Sequence, residues 1–162
     1  MSGEITKQKI LREGLALASI VGLGGITIGS LAKKVGMSKS GLYRHFKSKE
    51  NLQLELLKTA TDIFVEKVIS PAFKKSRGEP RVMALFEGWI SWTESKFLPG
   101  GCIFIDAIVE FDDQPGILHD FVVQSQRDWL EIISNAAQIA IDEGHFRDDL
   151  DTVQFACEIY SM

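Results

Sequence analysis

Cysteine is almost missing from this chain: there are two, Cys102 and Cys157, in 162 residues. They stand far apart, match no metal-binding or redox spacing, and form no expected disulfide in a reducing compartment. No window approaches the roughly 20 uninterrupted apolar residues that a membrane-spanning helix needs, and Met1–Arg12 lacks the apolar core of a secretory leader. The cytoplasm is therefore the expected compartment. Sustained period-2 alternation is absent, which argues against a sheet, and there is neither an internal repeat nor a low-complexity run. Histidine is confined to His45, His119 and His145. No Ser/His/Asp, paired-carboxylate or phosphate-loop spacing is visible, so no enzyme and no cofactor are expected. His119 beside Asp112 and Asp113 could suggest a metal, but Asp112-Asp113-Gln114-Pro115-Gly116 reads as a solvated turn. No metal is expected.

What is present is an ordinary globular balance, 45% hydrophobic and 25% charged, with an uneven distribution of charge. Residues 1–60 carry ten Lys/Arg against four Asp/Glu, a net charge of +6, whereas residues 61–162 carry eight against eighteen, a net of −10. A surface that binds phosphates must be locally positive whatever the total of −4 suggests. The segregation points to a nucleic-acid-binding head and a body with another task.

Apolar residues recur at helical spacing throughout. A first helix is expected over Glu4–Val21, stopped by Gly22, Gly24 and Gly25. Thr27 reads as the N-cap of a short helix on which Ile28, Leu31, Ala32 and Val35 follow one face. Gly36 ends that helix, and Ser38 caps the next, Lys39–Phe46. Ser48 caps a long helix to about Ser70, broken by Pro71 and the run 74–80. Further helices are expected over 81–97, 102–111 and 117–143, the last closed by Gly144. Another begins near Leu150 and meets no breaking signal by Met162, so a longer natural chain is expected.

Two short helices joined by Gly36-Met37-Ser38 have the layout of a helix-turn-helix, whose second helix enters the major groove while the first crosses the backbone. Leu42 and Phe46 would pack inward against Leu31 and Val35. Lys39, Ser40, Gly41, Tyr43 and Arg44 are left to meet bases, Arg44 first through a bidentate contact to guanine. Small Ser40 and Gly41 let the helix start sit deep. Thr27, Ser38, Tyr43, His45, Lys47 and Lys49 suit phosphate oxygens, and Thr27 and Lys49 stand at positive helix N-termini. A helical hairpin with surface lysines would satisfy the same spacing.

The stretch Thr27-Ile28-x-x-Leu31-Ala32-x-x-Val35-Gly36-Met37-Ser38-Lys39-x-x-Leu42-Tyr43-x-His45-Phe46-x-Ser48-Lys49-Glu50-x-Leu52 resembles the signature of the TetR (tetracycline repressor-like) family. The resemblance implies an all-α homodimer with a three-helix DNA-binding head at residues 1–47. A helical-bundle body at 48–162 would bind a ligand and dimerise. It also implies dimerisation through two C-terminal helices, of which this sequence is expected to hold at most part of the penultimate one and nothing of the last. Gly29 and Gly41 are poor helix formers within the motif.

The body is rich in large apolar residues, including Phe64, Met83, Phe86, Phe97, Phe111 and Phe121. Most of an aromatic stripe at helical spacing is core. Trp89, Trp92, Phe104, Ile108 and Trp129 are the candidates to line a pocket for a small apolar or aromatic ligand. Cys102 follows Pro99-Gly100-Gly101 at a helix start, where a thiol can acquire a lowered pKa and sense electrophiles; buried packing is the plainer account. The function expected is a sequence-specific regulator on a near-palindromic operator, a repressor released by its ligand. The rivals are a thiol-sensing regulator through Cys102 and a helical protein-interaction module that never touches DNA.

Overall fold

Ten helical segments carry the chain in the computed structural model, which describes the backbone of residues 2–162 and the side chains of residues 7–162. In chain order they are α1 (Ser2–Val21), α2 (Ile28–Val35), α3 (Lys39–Phe46), α4 (Lys49–Phe64), a π-helical turn (Val65–Ile69) and α5 (Ser70–Phe73). There follow α6 (Glu79–Thr93), α7 (Ile103–Phe111), α8 (Ile117–Asp142) and α9 (Thr152–Ser161). The all-α class, a helix-turn-helix followed by a helical body, is the observed one. Compact units do not follow the chain order. One unit comprises Met1–Asp62 with Thr93–Val123, and the other comprises Ile63–Trp92 with Gln124–Met162.

In the first unit the apolar stripes read from the sequence are the buried ones. Ile10, Leu11, Leu15 and Ala18 of α1 are buried, as are Leu31 and Ala32 of α2, Leu42 and Phe46 of α3, and Leu52, Leu56 and Leu57 of α4. Burying each of the leucine, isoleucine and phenylalanine side chains contributes about 1.5–3 kcal/mol, which outweighs the weak helix propensity of short segments such as α2 and α3. Lys7 and Glu55 tie α1 to α4 by a 2.7 Å ion pair. From α7, Ile103, Ala107 and Phe111 are buried in the same unit.

The second unit is built around aromatic rings. Phe64 presents edge-on geometry to Trp89, Trp92 and Trp129 at centroid distances of 6.1, 5.2 and 5.0 Å. Trp89 lies 5.9 Å from Trp129 and 5.6 Å from Tyr160. The three edge-to-face pairs made by Phe64 match the positive edge of one ring to the negative face of the next. Arg77 pairs with Glu143 at 3.0 Å, and His145 Nδ1 accepts the Glu79 N–H at the start of α6 at 3.1 Å.

Two boundaries differ from expectation. The helical path does not break at Pro71 but continues through the π turn, where the Ser70 N–H reaches back to the Val65 carbonyl, into α5. Pro71 follows directly on the π turn, in the first turn of α5, so the helical path absorbs a residue without an N–H instead of ending at it. Helix α6 begins at Glu79 and ends at Thr93, earlier at both ends than its apolar pattern suggested. Pro80 falls in its first turn, where a missing N–H removes no helical bond.

Candidate DNA-reading site

Local hydrogen bonds set the two short helices in place. Thr27 and Ser30 form a reciprocal capping box: each backbone N–H donates to the other's hydroxyl oxygen at 3.0 Å. Gly36 ends α2 at φ 68°, ψ 29°, a left-handed conformation that costs glycine nothing, and its N–H returns to the Ala32 carbonyl. Ser38 Oγ then accepts the Gly41 N–H at 3.1 Å and lies 3.3 Å from Ser40 Oγ. A Cβ at Gly41 would come within 3.0 Å of that capping oxygen, so glycine here keeps the Ser38 cap open. Neither α2 nor α3 has an acidic residue in its first turn. Their positive N-terminal ends are therefore not neutralised from within, as phosphate binding requires.

Leu42 and Phe46 are fully buried, and α3 turns its other side outward. Lys39, Ser40, Tyr43 and Arg44 are exposed, Tyr43 to 55%. They share the outer face with Lys47, also exposed. Gly41 is half-buried, under the Ser38 cap. His45 is half-buried as well, its ring 6.2 Å from that of Phe46. Among the described residues, no ion pair engages Lys39, Arg44 or Lys47. Lys33 and Lys34, exposed in the last turn of α2, add positive charge that the motif reading left aside.

The end of α3 is unusual. Lys47 has φ 63° and ψ −37°, the one positive φ among the described residues that is not on glycine. Its own N–H bonds the Tyr43 carbonyl, and the next N–H, of Ser48, bonds the Phe46 carbonyl, both at 2.7 Å. The second bond closes a γ-turn, a strained conformation for an L-residue. Asn51 Nδ2 donates to the same Phe46 carbonyl at 2.9 Å, while the Asn51 N–H donates to Ser48 Oγ at 3.0 Å. Lys49 does not stand free at the start of α4: its Nζ donates to the Gly24 carbonyl. One turn later on α4, buried Gln53 donates to the Leu23 carbonyl at 2.7 Å. Asn51 and Gln53 were not singled out in the sequence, since a polar residue on a helix reveals neither its burial nor its distant partner.

Of the pocket candidates, Trp89, Trp92 and Trp129 come together, all buried in the second unit. Phe104 and Ile108, both half-buried, belong to the first unit. Trp129 Nε1 is buried with no hydrogen-bond partner among the described residues. Cys102 is the N-cap residue of α7 and only 5% exposed, so an electrophile would reach it only through local opening. Cys157 is exposed. Among the described residues no group of three or more His, Cys, Asp or Glu could hold a metal ion, and no helix is long and apolar enough to cross a membrane.

Comparison with known proteins agrees with this geometry. Residues 10–67 match the family described as bacterial regulatory proteins, tetR family, and residues 78–162 match the tetracyclin repressor-like C-terminal domain. The chain is 27% identical over 159 residues to the HTH-type transcriptional repressor KstR2 of Mycobacterium tuberculosis, covering 93% of this chain and 75% of that one. Among solved structures it superposes on a TetR transcriptional regulator from Chloroflexus aurantiacus with a TM-score of 0.88 at 27% identity, covering 99% of this chain and 81% of the other. It superposes on AibR in complex with isovaleryl coenzyme A and operator DNA with a TM-score of 0.77 at 21% identity, covering 94% and 80%. With both halves of the chain matched in order, and with a capped helix-turn-helix presenting a cationic face, the chain belongs to the TetR family of DNA-binding transcriptional regulators.

Proposed function

We propose that the chain is a repressor that binds a near-palindromic operator as a homodimer and leaves it when a small apolar or aromatic molecule binds in its helical body. The observation that carries this reading is the outer face of α3, where Lys39, Ser40, Tyr43 and Arg44 stand exposed above fully buried Leu42 and Phe46. A helix held by its apolar face and free on its polar face can enter a major groove. Residues 1–47 serve as the head and residues 48–162 as the body. Lys39, Ser40, Gly41, Tyr43 and Arg44 face the bases. Thr27, Ser38, Tyr43, His45, Lys47 and Lys49 face phosphates, with Lys49 exchanging its bond to the Gly24 carbonyl for a phosphate oxygen. Dimerisation puts two such helices about one DNA turn apart.

The ligand site is proposed at the aromatic group of the second unit, Trp89, Trp92 and Trp129, with the unpartnered Trp129 Nε1–H offering a donor to a ligand acceptor. Support by analogy comes from AibR, whose structure holds isovaleryl coenzyme A, and from a Saccharomonospora viridis regulator of similar fold in complex with choline. Ligand release requires that the molecule bind one conformation of the protein more tightly than the other. The proposed activity is binding without catalysis, in the cytoplasm where operator DNA resides. The test is a titration of the full chain against a duplex that it selects from a random-sequence pool. Arg44→Ala should weaken binding by about 1–3 kcal/mol and relax preference at one base position. Absence of duplex binding even at low salt, where phosphate attraction is strongest, would leave an interaction module instead.

A further inference from the structure

The turn between α1 and α2 is gripped by three side chains from elsewhere in the first unit. Two come from α4: Gln53 on the Leu23 carbonyl and Lys49 on the Gly24 carbonyl. The third comes from α7, where the Glu110 carboxylate accepts the Gly24 N–H across a separation of 86 residues. Glycine makes room for it at one position: a Cβ at Gly24 would land on Glu110 Oε1, whereas at Gly22 it is the positive φ of 76° that calls for glycine.

Two features set Glu110 apart from a contact that only adds cohesion. Its Oε2 is buried and has no hydrogen-bond partner among the described residues, which is costly for a carboxylate. One turn earlier on α7, burial and then the charge of Glu110 push the Asp106 carboxyl above the usual range. A neutral acceptor would reduce the cost at Oε2 and remove the charge's part of the Asp106 shift, leaving the part due to burial. What a carboxylate adds is a charge-assisted bond that fixes its donor closely. From Gly24 the chain passes through fully buried Ile26 to Thr27, the N-cap of α2, so there is little slack between the gripped amide and the helix on which α3 packs.

Building on the DNA-binding reading above, we infer that Glu110 is a positioning residue for operator binding. By holding the Gly24 amide from α7 it fixes the start of α2, and through α2 the orientation in which α3 presents its reading face.

The experiment compares Glu110→Gln, which keeps an oxygen acceptor, with Glu110→Ala, which removes it, and Glu110→Asp, which draws the carboxylate back by one methylene. Each full-length variant is titrated against the duplex selected by the wild type, at a temperature where circular dichroism shows it fully folded. Amide exchange across residues 22–30 is followed in parallel. The Gln variant, which keeps an acceptor but loses the charge, should bind about threefold more weakly than wild type, while Ala and Asp bind roughly tenfold more weakly, a size typical of coupling between distant sites. Exchange at 22–30 should rise most in Ala and Asp and less in Gln. A merely structural contact would lower the unfolding midpoint and leave affinity at that temperature unmoved, and that result overturns the inference. Equal losses in Gln and Ala overturn it too. If the Ala variant does not fold, the Asp and Gln pair decides by the same readouts. Should the wild type select no duplex at all, the DNA-binding reading itself fails. A wild type that binds beside an Ala variant of unchanged affinity defeats the positioning role alone.

Discussion

Replacing Lys47 by glycine should make the protein more stable and a weaker DNA binder at once. The stability gain follows from the γ-turn that ends α3. Holding an L-residue at positive φ costs about 1–2 kcal/mol, and Lys47 sits at φ 63°. Glycine removes that cost but gives back about 0.5–1 kcal/mol through the greater freedom of its unfolded chain. The net expectation is a gain of about 0.5–1 kcal/mol. With a urea m-value of about 2 kcal/mol per M, the midpoint should rise by roughly 0.3–0.5 M. The binding loss follows from the side chain, which is exposed and in no ion pair among the described residues. Each phosphate neutralised contributes about 0.9 to the slope of log K against log salt, so Lys47→Gly should flatten that slope by about one contact. Lys47→Ala separates the two effects, because it loses the cation while keeping the strain. It should bind like the glycine variant without the rise in midpoint. A glycine variant less stable than wild type would refute the strain argument. An unchanged salt slope in both variants would remove Lys47 from the phosphate contacts.

Other expectations concern the supporting contacts. Because the Asp106 carboxyl is raised, the folded chain holds that proton more tightly than the unfolded chain. Stability therefore falls as pH rises through the carboxylate range and stays at its lower value above it. Asp106→Asn should recover about 0.2–0.5 kcal/mol at neutral pH, the size of a like-charge pair one helical turn apart. Urea curves at neutral and acidic pH check the sign: a gain that persists in acid would be wrong for this mechanism. His145→Ala deletes the acceptor for the first N–H of α6 and should cost about 0.5–1 kcal/mol, the low end for a lost helix cap. Faster exchange at the Glu79 amide is the direct check, and unchanged exchange would show that solvent replaces the imidazole without loss.

What could be read from the sequence was local. Thr27, Ser38 and Gly36 act on backbone groups within a few residues of themselves, so their roles follow from spacing, and the bounds of α2 and α3 follow from them. The buried stripe of Leu31, Leu42 and Phe46 follows from periodicity. What could not be read depends on partners distant in sequence. Gln53 and Glu110 look like ordinary polar residues on helices until the fold brings Leu23 and Gly24 to them. Lys49, a free cation by pattern, turns out to have a backbone acceptor. Pro71 misled for a related reason: its effect on a helix depends on its position in the turn, and the π-helical turn before it moves that position. The same limit applies to the aromatic candidates. Trp89 and Trp92 share a face by spacing, but only the fold adds Phe64 and Trp129 to their group.

The bond between Gly24 and Glu110 also bears on the order in which the head is completed during synthesis. Ribosomes add about 5–20 residues per second, so the 86 residues between donor and acceptor take about 4–17 seconds to make. For that interval α2 and α3 can form their caps at Thr27, Gly36 and Ser38, because the groups those caps need lie within residues 27–41. The Gly24 amide, however, still awaits its carboxylate. The reading helix is thus among the earliest parts of the chain to be made, and the contact that secures its mounting is supplied by a helix made much later.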